Sequence, residues 1–535
     1  MDRGLSYDVV IIGSGFGGAV SACRLAQAGR KVLVLERGRR WAPSTYPRDE
    51  KDPFLWHQEM PHRFNGWADV RGFSPFSHMF VVAGAGVGGG SLIYANVSVE
   101  ADPGAFDDDR WPPEITHPGL KPYYDEVGQM LDVSVVPPNQ WSERTRLMQA
   151  AANARGWGNR FRTLPLAVTF SDAWNPQCPD EHFKRFRNQH GRWQGTCIHC
   201  GNCDVGCQVS AKNTLDLNYL AVAENNGAEI WPLHLVDKLR PVPEGWEVTF
   251  RRIIPECEKT VPGKVTASRV IVAAGSIGST ELLLRCRDEH KTLPGLSSKL
   301  GHGWAHNGDF VTPAFYKGRK PDISPSHGVT ISAAIDLLDG RESGGQRLFV
   351  EDGGIPNLAG NFFQRHLTGA PSWKVRALWR HLRRVFDDGD PLETMMPWFG
   401  QAVDPGDGQF YLGRKWLAPW RRTLRLNWSY KESEAVIGAM IRAHTELSKA
   451  TGGRVVPNPL WSKTHTLITP HPLGGCNMGI DRAHGVVDAA GKVFGYNGLY
   501  VMDGAIVPRP LGLNPSRTIA ALAERSVARL LREPE

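Results

Sequence analysis

The chain has 535 residues, 41% of them hydrophobic, 22% charged and 9% aromatic, enough apolar material for a large core and too much for a disordered or fibrous protein. Its 62 Lys and Arg against 55 Asp and Glu leave a net charge of +7, spread along the sequence rather than gathered into blocks, which predicts no nucleic-acid partner. No stretch reaches the ~20 consecutive apolar residues of a membrane span, and the segment Met1 to Ser6 is too short and polar for a secretion signal, so a cytoplasmic protein is expected.

Tyr7-Asp8-Val9-Val10-Ile11-Ile12 is the β-branched run of a strand buried on both faces. It leads into Gly13-Ser14-Gly15-Phe16-Gly17-Gly18, then a helical stretch with small residues up to Gly29, then a second strand, Lys31 to Glu36. This βαβ order gives G-x-G-x-x-G its meaning: glycines let the backbone approach a pyrophosphate at the helix N-terminus, where free N–H groups favour anions. Gly13, Gly15, Phe16 and Gly18 are the expected phosphate-side contacts, and Glu36 is placed to accept from an unphosphorylated ribose. The motif alone does not separate FAD from NAD. A second glycine loop, Gly84-Ala85-Gly86-Val87-Gly88-Gly89-Gly90-Ser91, follows a short apolar strand and lets backbone lie against a flat ring, which favours a flavin. Gly84, Gly88, Gly89 and Ser91 are its expected contacts.

Cys197, Cys200, Cys203 and Cys207 have the C-x2-C-x2-C-x3-C spacing of bacterial ferredoxins, which an iron–sulfur cluster would use, with Cys178 as an alternative remote ligand, and which equally leaves open zinc or metal-free thiols. Val270 to Gly275 is a returning buried strand, with Ala274 and Gly275 small where a cofactor presses close, and helical periodicity resumes at Ile277. Between Gly308 and Thr464 the texture changes to strands with bulky aromatics, including Leu424 to Trp428, followed by a helix from Glu432 to Ala450. Trp373 to Phe386 predicts an amphipathic cationic helix suited to a core-packed surface or to transient contact with a membrane. His471 stands between Pro470 and Pro472 ahead of Gly474 and Gly475, and its imidazole can accept a hydroxyl proton at neutral pH. Asn514-Pro515 reads as a helix start, with Asn514 as the N-cap.

Four segments together resemble the glucose-methanol-choline (GMC) oxidoreductases, most closely the branch of cholesterol oxidases that binds FAD non-covalently. They are GSGFGGAV with Glu36, GAGVGGGSLIYANV, Val270 to Leu284 followed by Leu300 to Phe310, and HPLGGC with the closing segment from Leu499. The resemblance implies an α/β fold, with a Rossmann-like FAD domain of discontinuous segments (1–45, 78–105, 212–305, 472–535). A substrate domain (46–77, 106–211, 306–471) roofs the flavin with a mainly antiparallel sheet. It implies His471 as catalytic base, Asn514 as its partner on the substrate oxygen, and Glu351 as a glutamate that moves a steroid ring double bond. Asn96, Asp503, Gly504 and Pro515 become further flavin contacts. The expected reaction is oxidation of a hydrophobic secondary alcohol, a 3β-hydroxysteroid foremost, with oxygen or a protein or quinone as electron acceptor. The rivals are a dehydrogenase for another hydrophobic or aromatic alcohol that relays electrons through the cysteine site, and an electron-transfer flavoprotein without alcohol chemistry.

Overall fold

The computed structural model describes residues 6–48, 55–63, 66–73, 77–174, 183–316, 318, 323–356, 394–415 and 418–533. The amphipathic segment 373–386 and Cys178 lie outside them.

The first strand, Ser6–Ile12, runs parallel to Val32–Leu35 on one side and to the end of Lys259–Val272 on the other. Glu229–Trp231 adds a parallel strand beyond Val32–Leu35, and Leu499–Val501 pairs in parallel with Val270, Ile271 and Val272. The strand Lys259–Val272 changes character along its length. Its final Val-Ile-Val is fully buried on both faces, as a parallel interior strand must be. Its earlier part carries exposed and half-buried residues and pairs antiparallel with Gly245–Ile254, which in turn pairs with His234–Val242. One long strand therefore joins a parallel dinucleotide-type sheet to an antiparallel meander. The helix Phe16–Gln27 is buried on nearly every side, and the closing helix Ser516–Leu530 is tied to it by paired hydrogen bonds from Arg24 to Glu524 at 2.9 and 2.8 Å.

A second sheet has six strands, all antiparallel, in the order Arg454–Val455, Phe310–Phe315, Met395–Ala402, Leu348–Glu351, Ala333–Leu337, Phe161–Thr163. The helix Glu434–Ala450 covers it: Trp398 Nε1 donates to Ser448 Oγ at 2.8 Å, and His444 Nδ1 meets Thr312 Oγ1 at 2.8 Å. The strand expected near Leu424 runs over Ala418–Asn427 and forms a hairpin with Gly408–Lys415. A third sheet joins Ala68–Gly72, Met79–Gly84 and Leu467–Thr469. Two of its strands deliver the site: one runs into the second glycine loop, the other into Pro470-His471. Among the described residues no helix is long and apolar enough to cross a membrane.

Candidate functional site

One cavity of about 1400 Å³ runs from Glu36 to His471 and Asn514, larger than the pocket of a single drug-sized ligand. One wall is largely backbone. Gly13, Gly15, Phe16, Glu36, Gly84 and Gly89 line it, as do Ala274, Gly275, Asp503, Gly504 and Pro515. The glycines there do different work. A side chain on Gly15 would have only the Gly89 Cα at 4.0 Å for a neighbour, and one on Gly275 would meet nothing within 4 Å, so both keep cavity space open. A Cβ on Gly18 would sit 2.1 Å from the Gly13 carbonyl oxygen, and one on Gly17 would sit 1.5 Å from that of Met502. Those two let the helix close against the strands, and Gly18 lies off the cavity wall.

Glu36 is buried and accepts from Ser14 N at 3.0 Å, Ser14 Oγ at 2.7 Å and Gly38 N at 2.9 Å. Burial pushes its carboxyl up while these donors hold it down. Asp503 ties two returning segments together: its carboxylate accepts from Gly275 N at 2.8 Å, Ser279 Oγ at 2.5 Å and Ala505 N at 2.7 Å, and burial raises its pKa to about 6. Gly88 and Ser91 lie off the wall and shape the second loop instead. Gly88 takes a φ of +107°, Ser91 Oγ donates to its carbonyl at 2.7 Å, and Leu215 N donates to Ser91 Oγ at 3.1 Å. Asn96 is also off the wall, buried, with φ 70° and both amide atoms unpartnered among the described residues, between the cavity-lining Ala95 and Val97.

The opposite wall is built from side chains. His471 Nδ1 lies 2.9 Å from Asp309 Oδ1, and the Asp309 side chain is fully buried. Thr469 Oγ1 donates to Asp309 Oδ2 at 2.5 Å and accepts from His471 N at 2.9 Å. A buried carboxylate on Nδ1 fixes the neutral ring as the tautomer with its proton there, leaving Nε2 as the acceptor. Asp309 and Thr469 are the residues that sequence reasoning missed. The signal was present, an acid following Asn307-Gly308 in a segment already singled out, but its partner stands 162 positions away.

Asn514 lines the cavity, but it is not the helix cap: the closing helix starts at Ser516 with Pro515 in the cap position, so the expected N-cap role is corrected. The loop before it is fixed by Asn307, whose Oδ1 accepts from Leu511 N at 3.0 Å and Gly512 N at 2.9 Å and whose Nδ2 donates to Leu513 O at 2.9 Å. Glu351 is fully buried at the end of its strand and does not line the cavity. Burial, with Asp352 and Asp309 nearby, pushes its carboxyl well above the usual range, against the polar groups of Asn514 and Gln401 beside it; Gln401 Nε2 donates to Oε2 at 2.9 Å, while Glu351 Oε1 and Asn514 Oδ1 have no hydrogen-bond partner among the described residues.

The cysteine run departs from expectation. Among the described residues no three His, Cys, Asp or Glu side chains gather into a metal-holding group, so the expected iron–sulfur or zinc ligand set of Cys197, Cys200, Cys203 and Cys207 is not assembled. The run is instead a wall element. Asp204 and Val205 line the cavity, and Lys212 Nζ clamps the run by donating to the carbonyls of Cys203 (2.8 Å), Leu92 (3.0 Å) and Tyr94 (2.8 Å). The thiols meet backbone amides: His199 N donates to Cys197 Sγ at 3.4 Å and Ala211 N to Cys207 Sγ at 3.2 Å. Burial pushes both thiols up, and that of Cys200 to about 11.

A family model described as GMC oxidoreductase matches residues 412–523, and one described as an NAD(P)-binding Rossmann-like domain matches residues 11–77. A cholesterol oxidase of Mycobacterium tuberculosis (strain CDC 1551 / Oshkosh) is 31% identical, with 98% of this chain and 90% of the relative covered. A cholesterol oxidase of Acinetobacter baumannii is 30% identical, with 98% and 94% covered. The chain belongs to the GMC oxidoreductase family. A long-chain-alcohol oxidase of Arabidopsis thaliana is 22% identical, over 96% of this chain and 66% of the relative. Among solved structures, pyridoxine 4-oxidase from Mesorbium loti shares the fold with a TM-score of 0.64 at 15% identity, covering 99% of this chain and all of that one. A fungal aryl-alcohol oxidase does so with a TM-score of 0.60 at 16% identity, covering 98% and 99%.

Membership makes this chain an FAD-dependent alcohol oxidoreductase. The residues present fit FAD: the helix start at Gly15 opens into the cavity, Glu36 closes one end, Gly275 leaves room beside it, and the unpartnered Asn96 amide adjoins the wall.

Proposed function

We propose that the protein oxidises the secondary alcohol of a hydrophobic substrate, a 3β-hydroxysteroid, to its ketone. The observation that carries this reading is the buried Asp309 carboxylate on His471 Nδ1 in the wall of a cavity that FAD fits. Bound FAD supplies the two-electron acceptor for the carbinol hydride. His471 Nε2 takes the hydroxyl proton, since Nδ1 already carries the one directed at Asp309. Asp309 and Thr469 keep the ring from turning away and stabilise the imidazolium that forms.

Asn514 has two amide hydrogens. From the cavity wall, beside Glu351, they can reach the substrate oxygen as negative charge develops on it. Glu351 acts through Asn514 as a positioning residue. A carboxyl held off the cavity wall suits that task better than moving a substrate double bond, which needs a carboxylate against the substrate. Val97, Ile331, Ile355 and Phe399 give the cavity apolar surface that suits a fused-ring skeleton. The two cholesterol oxidases that span nearly the whole chain support the same substrate class.

The test is the visible spectrum of anaerobic holoprotein before and after addition of dehydroepiandrosterone, a soluble 3β-hydroxysteroid. Bleaching of the flavin band is the expected outcome. A band that stays, yet bleaches with an aromatic or aliphatic alcohol, would replace the steroid and leave the alcohol chemistry. Readmitting air, or a quinone without air, then identifies the acceptor by which of them restores the colour. In His471→Ala, FAD should remain bound while the bleaching rate falls by about 10²–10⁴.

A further inference from the structure

Two polar atoms in the cavity wall have no partner, and neither belongs to the residues that act on the reacting hydroxyl. Asp204, in the short turn Cys203–Val205, and Thr330 both line the cavity and stand beside each other, near enough to His471 for the Asp204 charge to act on its ring. Asp204 Oδ1 and Thr330 Oγ1 are both buried, and neither has a hydrogen-bond partner among the described residues. Thr330 as a whole is only 4% exposed. Buried polar atoms are paired in the large majority of cases, so two neighbouring orphans on one cavity wall ask for a ligand group that pairs with both.

The backbone under each of them is held in place. Lys212 Nζ donates to the carbonyl of Cys203 at 2.8 Å and Trp67 Nε1 to that of Asp204 at 3.3 Å, which fixes the turn. On the other side Arg144, fully buried, donates from Nη1 to the carbonyl of Thr330 at 3.1 Å and from Nη2 to those of His327 and Val329 at 2.9 Å. A pair set in advance in this way favours a ligand that already has the matching geometry.

The surroundings select the chemistry of that group. Lys212 and Arg144 both act on the Asp204 carboxylate, so its charge is already offset, and an ammonium on the ligand would meet two cations. A ketone or ether oxygen only accepts, and would leave Asp204 Oδ1 unpaired. A hydroxyl donates to Asp204 Oδ1 and accepts from Thr330 Oγ1, which satisfies both atoms at once. Val205 and Ile331, next in the chain to each, also line the cavity, so the hydroxyl is carried on a hydrophobic frame.

We propose that the substrate is a hydrophobic diol: one hydroxyl is oxidised at His471, and the second is held between Asp204 and Thr330, which set the specificity. The steroid frame rests on the substrate reading above, whereas the second hydroxyl does not.

The experiment is anaerobic flavin reduction in holoprotein at pH 8 by androst-5-ene-3β,17β-diol and androst-5-ene-3β,7α-diol, each against androst-5-en-3β-ol, which has no second hydroxyl. Burial raises the pKa of Asp204 to about 6, so at that pH its carboxylate only accepts. One of the diols should outpace the mono-ol by about 10- to 100-fold at limiting substrate, as a hydrogen bond to a charged group allows. In Thr330→Val and in Asp204→Ala that ratio should collapse toward one, with FAD still bound and its absorption maximum unmoved. Equal rates for all three steroids would overturn the proposal and leave water on the pair. A preference for a diol that survives in either variant would overturn it as well, and a flavin spectrum or potential that shifts in Asp204→Ala while the ratio stands would assign Asp204 to the cofactor instead. If no steroid bleaches the flavin, the steroid reading alone falls, and the same ratio is then expected between para-benzenedimethanol and para-methylbenzyl alcohol, where equal rates would overturn the diol.

Discussion

The two walls of the cavity are made in different ways. The dinucleotide wall is backbone: glycines whose missing side chains either keep the space open, as at Gly15 and Gly275, or let strand and helix close behind it, as at Gly17 and Gly18. The chemical wall is built of side chains, Thr469 bonded to Asp309 and Asp309 to His471, with Gln401 bonded to Glu351 beside Asn514, drawn from five separate segments. Each stretch of the backbone wall is specified by a short run of residues. A side-chain wall is specified by the fold as a whole, so its failures come in grades.

The largest effect should separate two neighbouring glycines. Gly17→Ala puts a methyl 1.5 Å from the Met502 carbonyl oxygen, and neither backbone can yield without parting the first helix from the strand Leu499–Val501. Overpacking in a core costs typically about 1–3 kcal/mol, and a rigid backbone contact of this kind lies at the upper end, so a clear drop in melting temperature is expected. Gly15→Ala adds the same methyl where the nearest neighbour is at 4.0 Å. The apoprotein should melt as the parent does while flavin content falls. Equal melting losses in both variants would show that Gly15 is also a packing glycine and that the distinction drawn within this wall is wrong.

The contrast explains what could be read from the sequence. Gly13 to Gly18 was legible because strand, turn and helix follow one another within thirty residues and the spacing itself dictates the geometry. His471 and Asn514 were legible through the segments that resemble the family. Asp309, Thr469 and Asn307 were not singled out, because an acid, a hydroxyl and an amide acquire their roles only when Phe310–Phe315 and Leu467–Thr469 are folded side by side. The cysteine run marks the other limit. Its spacing was plain, but spacing fixes only how far apart the sulfurs stand along the chain, whereas a cluster needs them to converge. Here the run is wound over Lys212, whose ammonium draws the carbonyls of Leu92, Tyr94 and Cys203 together. The burial of Glu351, next to Asp352-Gly353-Gly354, follows from Leu348–Glu351 being an interior strand of the six-stranded sheet.

A middle-sized effect should come from Asp309→Asn. The amide preserves shape and removes the charge, so Nδ1 of His471 no longer has a carboxylate to hold its proton, and the ring is free to adopt the tautomer that spoils Nε2 as a base. Misplacement of a catalytic group by about 1 Å costs on the order of 10²-fold, and a loss of that size is expected in the anaerobic rate of flavin reduction, with KM near the parent value. A variant that instead raised KM and reduced its flavin at the parent rate would assign Asp309 to substrate binding rather than to His471.

The smallest effect tests Glu351 and has a sign fixed by proton linkage. In the unfolded chain Glu351 loses its proton near the ordinary value of about 4.3. In the folded protein burial, reinforced by Asp352 and Asp309, holds the proton on to a much higher pH. Between those two pH values the folded state binds one proton more than the unfolded state, so this group's contribution to stability falls as pH rises, by up to about 1.4 kcal/mol per pH unit. Glu351→Gln keeps the shape of the protonated carboxyl, can still accept from Gln401 through its carbonyl oxygen, and has nothing to titrate. Its alcohol oxidation should stay within a few-fold of the parent, since the amide of Asn514 keeps its place. Its thermal stability relative to the parent should improve as pH rises above the ordinary glutamate range. Parallel stability curves for the two proteins would mean that Glu351 is ionised in the native state, and a carboxylate beside Asn514 would then have to be treated as a base in the reaction rather than as a fixed neutral support.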